Sequence, residues 1–187
     1  ARDGAYLLPT NRSSAEKVAN SFHVKDFSVE KLKLKLSSGQ VNLISINPGS
    51  VVTSKAVAEV QLDGSGAFVF QPEQDIAQVA VVERHQNTGN VAVGLLRGYG
   101  IKQGAVALSV AHDSHNIIVV GVSNEGMAFA VRELIAQSGG VVLVRDGAVV
   151  ERMPMPIGGI MSDQNGEWVD EKLKALHEAA YRELEIS

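Results

Sequence analysis

The chain is predicted to fold as an α+β domain with a largely antiparallel β-sheet and covering helices. Three features carry this. Between residues 31 and 122, short apolar or alternating runs recur, separated by Gly-, Asn- and Asp-rich stretches. Near Ser123 the hydrophobic period changes from two residues to helical spacing. Beyond Gly139 a tight hairpin and one more amphipathic helix follow, a strand–helix order typical of α+β domains.

In chain order, Asp3-Gly4 before Ala5-Tyr6-Leu7-Leu8 is a turn leading into half of a hairpin. Residues 10–17 are polar and form a connector. Lys31-Leu32-Lys33-Leu34-Lys35-Leu36 alternates strictly, which predicts a half-buried strand with a solvated lysine face. Further strands are expected at residues 41–46, 57–62, 67–70, 76–83, 91–96, 105–111 and 117–122, with a turn at Asp63-Gly64-Ser65-Gly66. The runs at 105–111 and 117–122 are so apolar that they must be well buried.

Met127, Val131, Leu134 and Ile135 then mark a helix, with Ser123 as N-cap, Glu125 in its first turn and Gly139 at C′. A hairpin across Asp146-Gly147 joins strands 141–145 and 148–152. Two prolines and two glycines make 153–161 an irregular packed loop. A last helix buries Val169, Leu173, Leu176 and Ala180, with Trp168 packed at its head.

The 187 residues suit one domain with a real core, and composition narrows its class. Without cysteine there is no disulfide frame, thiolate nucleophile or cysteine-built zinc site. A net charge of -4 argues against a nucleic-acid partner. No apolar run approaches the roughly 18 residues of a membrane span, and nothing reads as a targeting segment, so the expected location is cytoplasmic.

Of the five histidines, His23 and His177 look isolated. The other three fall in two polar clusters that follow buried strands. Ala111-His112-Asp113-Ser114-His115-Asn116 sets two imidazoles beside a carboxylate, groups that hold protons or metals near neutral pH. Its bland alternative is that Asp113, Ser114 and Asn116 only satisfy backbone groups at the sheet end. Glu83-Arg84-His85 is the second cluster; Arg84 suits a carboxylate or a ring nitrogen, and a solvated hairpin loop is the alternative. The two could converge on one site. A third stretch, from Gly94 to Gly104, carries four glycines but matches no phosphate-binding pattern, so close backbone packing is expected there.

These residues resemble a known family. Glu83-Arg84-His85, Thr88-Gly89-Asn90, Gly94-Leu95-Leu96-Arg97-Gly98-Tyr99-Gly100, the uninterrupted block from Ala111 to Gly121, Gly139-Gly140 and Pro154-Met155-Pro156-Ile157-Gly158-Gly159-Ile160-Met161-Ser162 are similar to the C-terminal domain of bacterial adenine deaminases. Those enzymes belong to the amidohydrolase superfamily. The resemblance implies hydrolysis of adenine to hypoxanthine and ammonia by a metal-bound hydroxide. It also implies a binuclear manganese, iron or zinc site held by a (β/α)₈ barrel that precedes this domain.

A barrel needs about 200 residues or more, and the chain has no His-x-His pair like the superfamily's first ligands. Residues 1–23 are therefore expected to be the remnant of a flanking β segment and linker. Residues 24–187 are expected to be the C-terminal domain, cut short at its end. No metal is expected in this chain, and the chain alone is expected to be inactive.

The expected role is to complete or cover the barrel's active site. His112, Asp113 and His115 are the candidate catalytic residues, and Glu83, Arg84, His85, Ser114 and Asn116 the substrate-facing candidates. Adenine, the barrel and a second copy of the chain are the expected partners. One alternative is a purely structural or oligomerisation module. Another is a stand-alone metal site built from His85, His112, Asp113 and His115.

Overall fold

Side-chain parity along the strands decides how the sheet is covered. The structure is a computed structural model that describes residues 16–19 and 22–186. The expected half-hairpin at 1–8 and most of the 10–17 connector lie outside them. The strands are β1 (Gln40–Ile46), β2 (Thr53–Glu59), β3 (Ile76–Val82), β4 (Val91–Arg97), β5 (Ala105–Leu108), β6 (Ile117–Gly121), β7 (Gly140–Arg145) and β8 (Ala148–Pro154). They form one sheet in the order β2-β1-β4-β3-β6-β5-β7-β8. Every neighbouring pair is antiparallel except β1 with β4. The α+β expectation holds.

Helix α1 (Asn124–Ala136) covers one face. Met127, Val131 and Leu134 pack there on Ala80 and Val82 of β3, Ala107 of β5, Ile117 and Val119 of β6, and Val142 of β7. Ser123 caps the helix by accepting from the Gly126 amide. At its other end, Ser138 N donates to Ile135 O and Gly139 N to Leu134 O, which closes a Schellman motif. The residue in the left-handed C′ conformation is thus Ser138 (φ 64), one position before the glycine expected there. Gly139 is needed for packing instead: a Cβ would lie 2.6 Å from Gly159 Cα and 2.8 Å from the Phe22 ring.

Helix α2 (Gly166–Glu183) lies on the opposite face over β7 and β8, capped by the Asn165 side chain. Leu176 is buried, and Trp168, Val169 and Ala180 are partly buried with it. Leu173, expected inside, is exposed at the edge of a groove that it lines with Leu108 and Val141. No helix among the described residues is long and apolar enough to cross a membrane.

Four local expectations are corrected. Residues 31–36 are not a strand: Val29–Leu32 is a 3₁₀ turn, and Lys35 makes a single bridge to Ala67. Leu32 drops into the core under α1, off the sheet plane, and its carbonyl accepts from the buried Gln78 amide. The strand expected at 57–62 runs from Thr53 to Glu59; beyond Val60 the chain leaves β1, and Gln61 and Leu62 pair with Val69 and Phe68 instead. Residues 67–70 form only isolated bridges. β5 stops at Leu108, because the buried Ser109 hydroxyl turns the chain by accepting from Gly140 N and donating to Gly159 O.

The β7–β8 hairpin is as expected, with Asp146 (φ 51) and Gly147 (φ 74) forming its two-residue turn. Close packing at Gly104 (φ +73) is also seen: a Cβ there would overlap the Val144 carbonyl oxygen.

Candidate functional site

The two polar clusters meet at one end of the sheet. Register brings them together, since Val82 at the end of β3 pairs with Ile117 at the start of β6. The segments Glu83–His85 and Ala111–Asn116 therefore leave the sheet side by side.

Within this site most polar groups hold backbone. The Glu83 carboxylate accepts from the amides of His85, Gln86 (2.7 Å) and Thr88 (3.0 Å) and from the Thr88 hydroxyl (2.9 Å). The amides of Gln86 and Thr88 chiefly pull its pKa from 4.5 to about 2. Arg84 is 1% exposed. Its Nε donates to His115 O, one terminal nitrogen donates to Gly158 O (3.1 Å), and its guanidinium lies 4.5 Å over the Phe22 ring. Burial pulls its pKa below the ordinary guanidinium value. His85 Nε2 lies 2.8 Å from Ser114 O, where only a ring N–H can donate. Asn116 Oδ1 accepts from Arg84 N, and Ser114 Oγ accepts from Asn116 N. For Ser114 and Asn116 the backbone-satisfying alternative describes these contacts, whereas the solvated-loop alternative for Glu83-Arg84-His85 does not fit the buried Arg84, whose side chain, like that of Glu83, holds backbone.

His112, Asp113 and His115 behave differently. His112 Nδ1 lies 2.8 Å from Asp113 Oδ1, and the two side chains are 91% and 93% exposed. A carboxylate can only accept, so Nδ1 is the donor in this contact, and in the neutral form of the ring Nε2 offers a lone pair. The His115 ring stands edge-on to His112, 6.4 Å between centroids. His115 Nδ1 is buried with no hydrogen-bond partner among the described residues. The arrangement is a buried cationic clamp carrying an exposed imidazole–carboxylate pair on a loop held at several points.

Among the described residues, no group of three or more His, Cys, Asp or Glu side chains is arranged to hold a metal ion. His85, His112, Asp113 and His115 therefore do not form the stand-alone metal site considered above. His23 and His177 are exposed; His177 lies on α2, apart from the cluster, while His23 meets it through its backbone, its amide donating to Arg84 O (2.9 Å). Sequence reasoning missed Ser109, Phe22 and the carbonyls of Gly158 and Gly159 as supports of the loop. A serine inside an apolar strand was the one available signal.

Comparison with known proteins identifies the family. The family model of the adenine deaminase C-terminal domain matches residues 50–187. An adenine deaminase 2 of Desulfotalea psychrophila is 57% identical over the whole chain, which covers 32% of that relative. An adenine deaminase of Ligilactobacillus salivarius is 46% identical over 97% of the chain and 31% of the relative. One from Nitratidesulfovibrio vulgaris is 38% identical over the whole chain. The chain spans about a third of the length of these curated relatives. With its site built on the matched residues, the chain belongs to the adenine deaminase family and carries the family's C-terminal domain.

Proposed function

We propose that this domain works as part of a cytoplasmic adenine deaminase, and that it presents the His112–Asp113 pair to the mouth of a catalytic (β/α)₈ barrel. The observation that carries this is the contrast within one loop. Arg84 and His85 fix the carbonyls of His115 and Ser114, while His112 and Asp113 project into solvent. A loop that served only to close the sheet would not need a hydrogen-bonded imidazole–carboxylate pair at its tip.

The reaction adds water to the ring carbon of adenine that bears the amino group and releases ammonia, leaving hypoxanthine. A proton must pass from the attacking water to the departing nitrogen. His112 Nε2, with Nδ1–H held by Asp113, is set to accept and return such a proton, or to bond the purine edge. The binuclear metal that the family resemblance implies would supply the attacking hydroxide, and its ligands would come from outside the described residues, among which no ligand group occurs.

A second reading is a module that only packs or oligomerises. It draws on the exposed apolar side chains Val51, Val57 and Val81. Alanine at His112 or His115 in the intact enzyme separates the two. The expected loss in kcat/KM is about 10²-fold or more with unchanged thermal stability. Unchanged kcat/KM with normal stability overturns the catalytic reading and leaves the packing one.

A further inference from the structure

An antiparallel sheet with one solvated face alternates apolar and polar residues. The strands in the middle of this sheet do not. On the face opposite α1, the outward positions of β3, β4, β5 and β6 are Ala77, Val79 and Val81; Ala92, Gly94 and Leu96; Val106 and Leu108; and Ile118 and Val120. None is charged or polar.

Only part of this face is covered. Ile101 and Leu184 bury Ala77, Leu96 and Val120 at the end far from the His112 loop, and Leu176 of α2 covers Val106 and Leu143. The end beside the loop is open. There the register lines up Ala92, Val81, Ile118, Leu108 and Val141 straight across five strands. Ala92 is exposed, Ile118 and Leu108 are half-buried, and Val81 keeps 36% of its surface. Val110, two residues beyond Leu108 and two before His112, keeps 44%. The row continues into a groove of about 340 Å³ under α2, edged by Leu108, Val141 and Leu173.

We propose that this open end of the sheet is the seat of the catalytic portion of the deaminase polypeptide, the part of its relatives' length that this chain does not span. The occupant follows from two facts. The chain spans about a third of its relatives' length, so a body roughly twice its size is available in such a polypeptide to cover it. The row also adjoins the loop in the chain itself: Ile118 follows Asn116 by two residues, and Val110 precedes His112 by two. A body that receives the His112–Asp113 pair therefore lies against Val110, Ile118 and Val81. The inference rests on the proposed role of that loop. It adds the surface that orients the loop, an apolar contact whose core excludes water as a protein interior does.

Hydroxyl-radical footprinting of the intact gene product tests it, with side-chain oxidation rates compared between folded and urea-unfolded enzyme. Left uncovered, Val81 and Val110 keep about a third to a half of their unfolded reactivity, as their exposure sets. Seated against a partner surface they fall about tenfold or more. Protection that persists on dilution supports the proposal. Reactivity at the uncovered level overturns it. Protection that disappears on dilution together with a dimer also overturns it, because a second copy is then the occupant.

V81E adds a second readout. It is expected to raise oxidation of Val110 and Ile118 several-fold with an unchanged circular dichroism spectrum; if both stay protected, the proposal fails. Failure of the functional reading looks different, since H112A would leave kcat/KM intact while the footprint at Val81 stayed as predicted.

Discussion

Replacing Arg84 with methionine keeps most of the side-chain volume and removes the guanidinium. Two carbonyls, His115 O and Gly158 O, then lose a charged donor, and the Phe22 ring loses its cation. Hydrogen bonds to a charged group contribute about 1.5–3 kcal/mol each, and the ring contact adds about 1 kcal/mol. Against this stands relief of the guanidinium's desolvation, visible in its lowered pKa. The net loss is then about 3–5 kcal/mol, the usual range for breaking a buried charged contact. For a domain of this size each kcal/mol lowers Tm by about 2–4 °C. Scanning calorimetry should therefore show a fall of about 10 °C. R84K, whose ammonium reaches one carbonyl but cannot fork to both, should recover about half. Hydrogen exchange should localise the damage at the His115 amide, which donates to Ala111 O. A fall of less than about 3 °C for R84M would show that the loop holds its shape without the clamp and would refute the reasoning.

Other expectations test separate parts of the structure. Glu83 titrates from 4.5 unfolded to about 2 folded, so its contribution is complete above pH 4.5 and lost as pH falls through 2. The stability gap between wild type and E83Q, from urea titrations at several pH values, should therefore narrow steadily between those limits; a gap independent of pH would contradict the loop-capping role. Gly104→Ala puts a Cβ onto the Val144 carbonyl at φ +73 and should cost about 3 kcal/mol or more, read from the urea midpoint. A change under about 1 kcal/mol would mean that β5 and β7 can separate freely there.

Local chemistry made much of this legible in the sequence. Ser123 announced α1 because a hydroxyl satisfies a helix-end amide whatever surrounds it, and Asp146-Gly147 announced a hairpin because its backbone angles suit those residues. The strand expected at 31–36 failed because alternation over six residues does not say that its leucines share a face. Leu32 enters the core under α1, while Leu34 and Leu36 pack into a different cluster around β1. The convergence of the two polar clusters was foreseeable from their position after buried strands. The division of labour within them was not. Arg84 finds Gly158 O, 74 residues away, and nothing near Arg84 in the chain specifies that partner. Glu83, Arg84, Ser114 and Asn116 therefore read as site residues from composition, although their contacts are mainly with the backbone they hold.

The one parallel pairing among the described strands has a kinetic consequence. The β1–β2 hairpin closes on itself through seven paired positions but joins β4 only at Ile44–Leu96 and Ser45–Arg97. That junction spans a chain loop of some fifty residues, whose closure entropy falls due before the contact returns any energy. The hairpin should thus form early as an isolated ribbon, dock late, and detach first in sub-global opening. Amides of Gln40–Glu59 should then exchange through a lower-energy opening than those of β3, β5 and β6. Uniform exchange free energies across the sheet would mean that it unfolds as one cooperative unit. In the first case the domain has a rigid half built around the Arg84 clamp and a latching half that can let go without disturbing it.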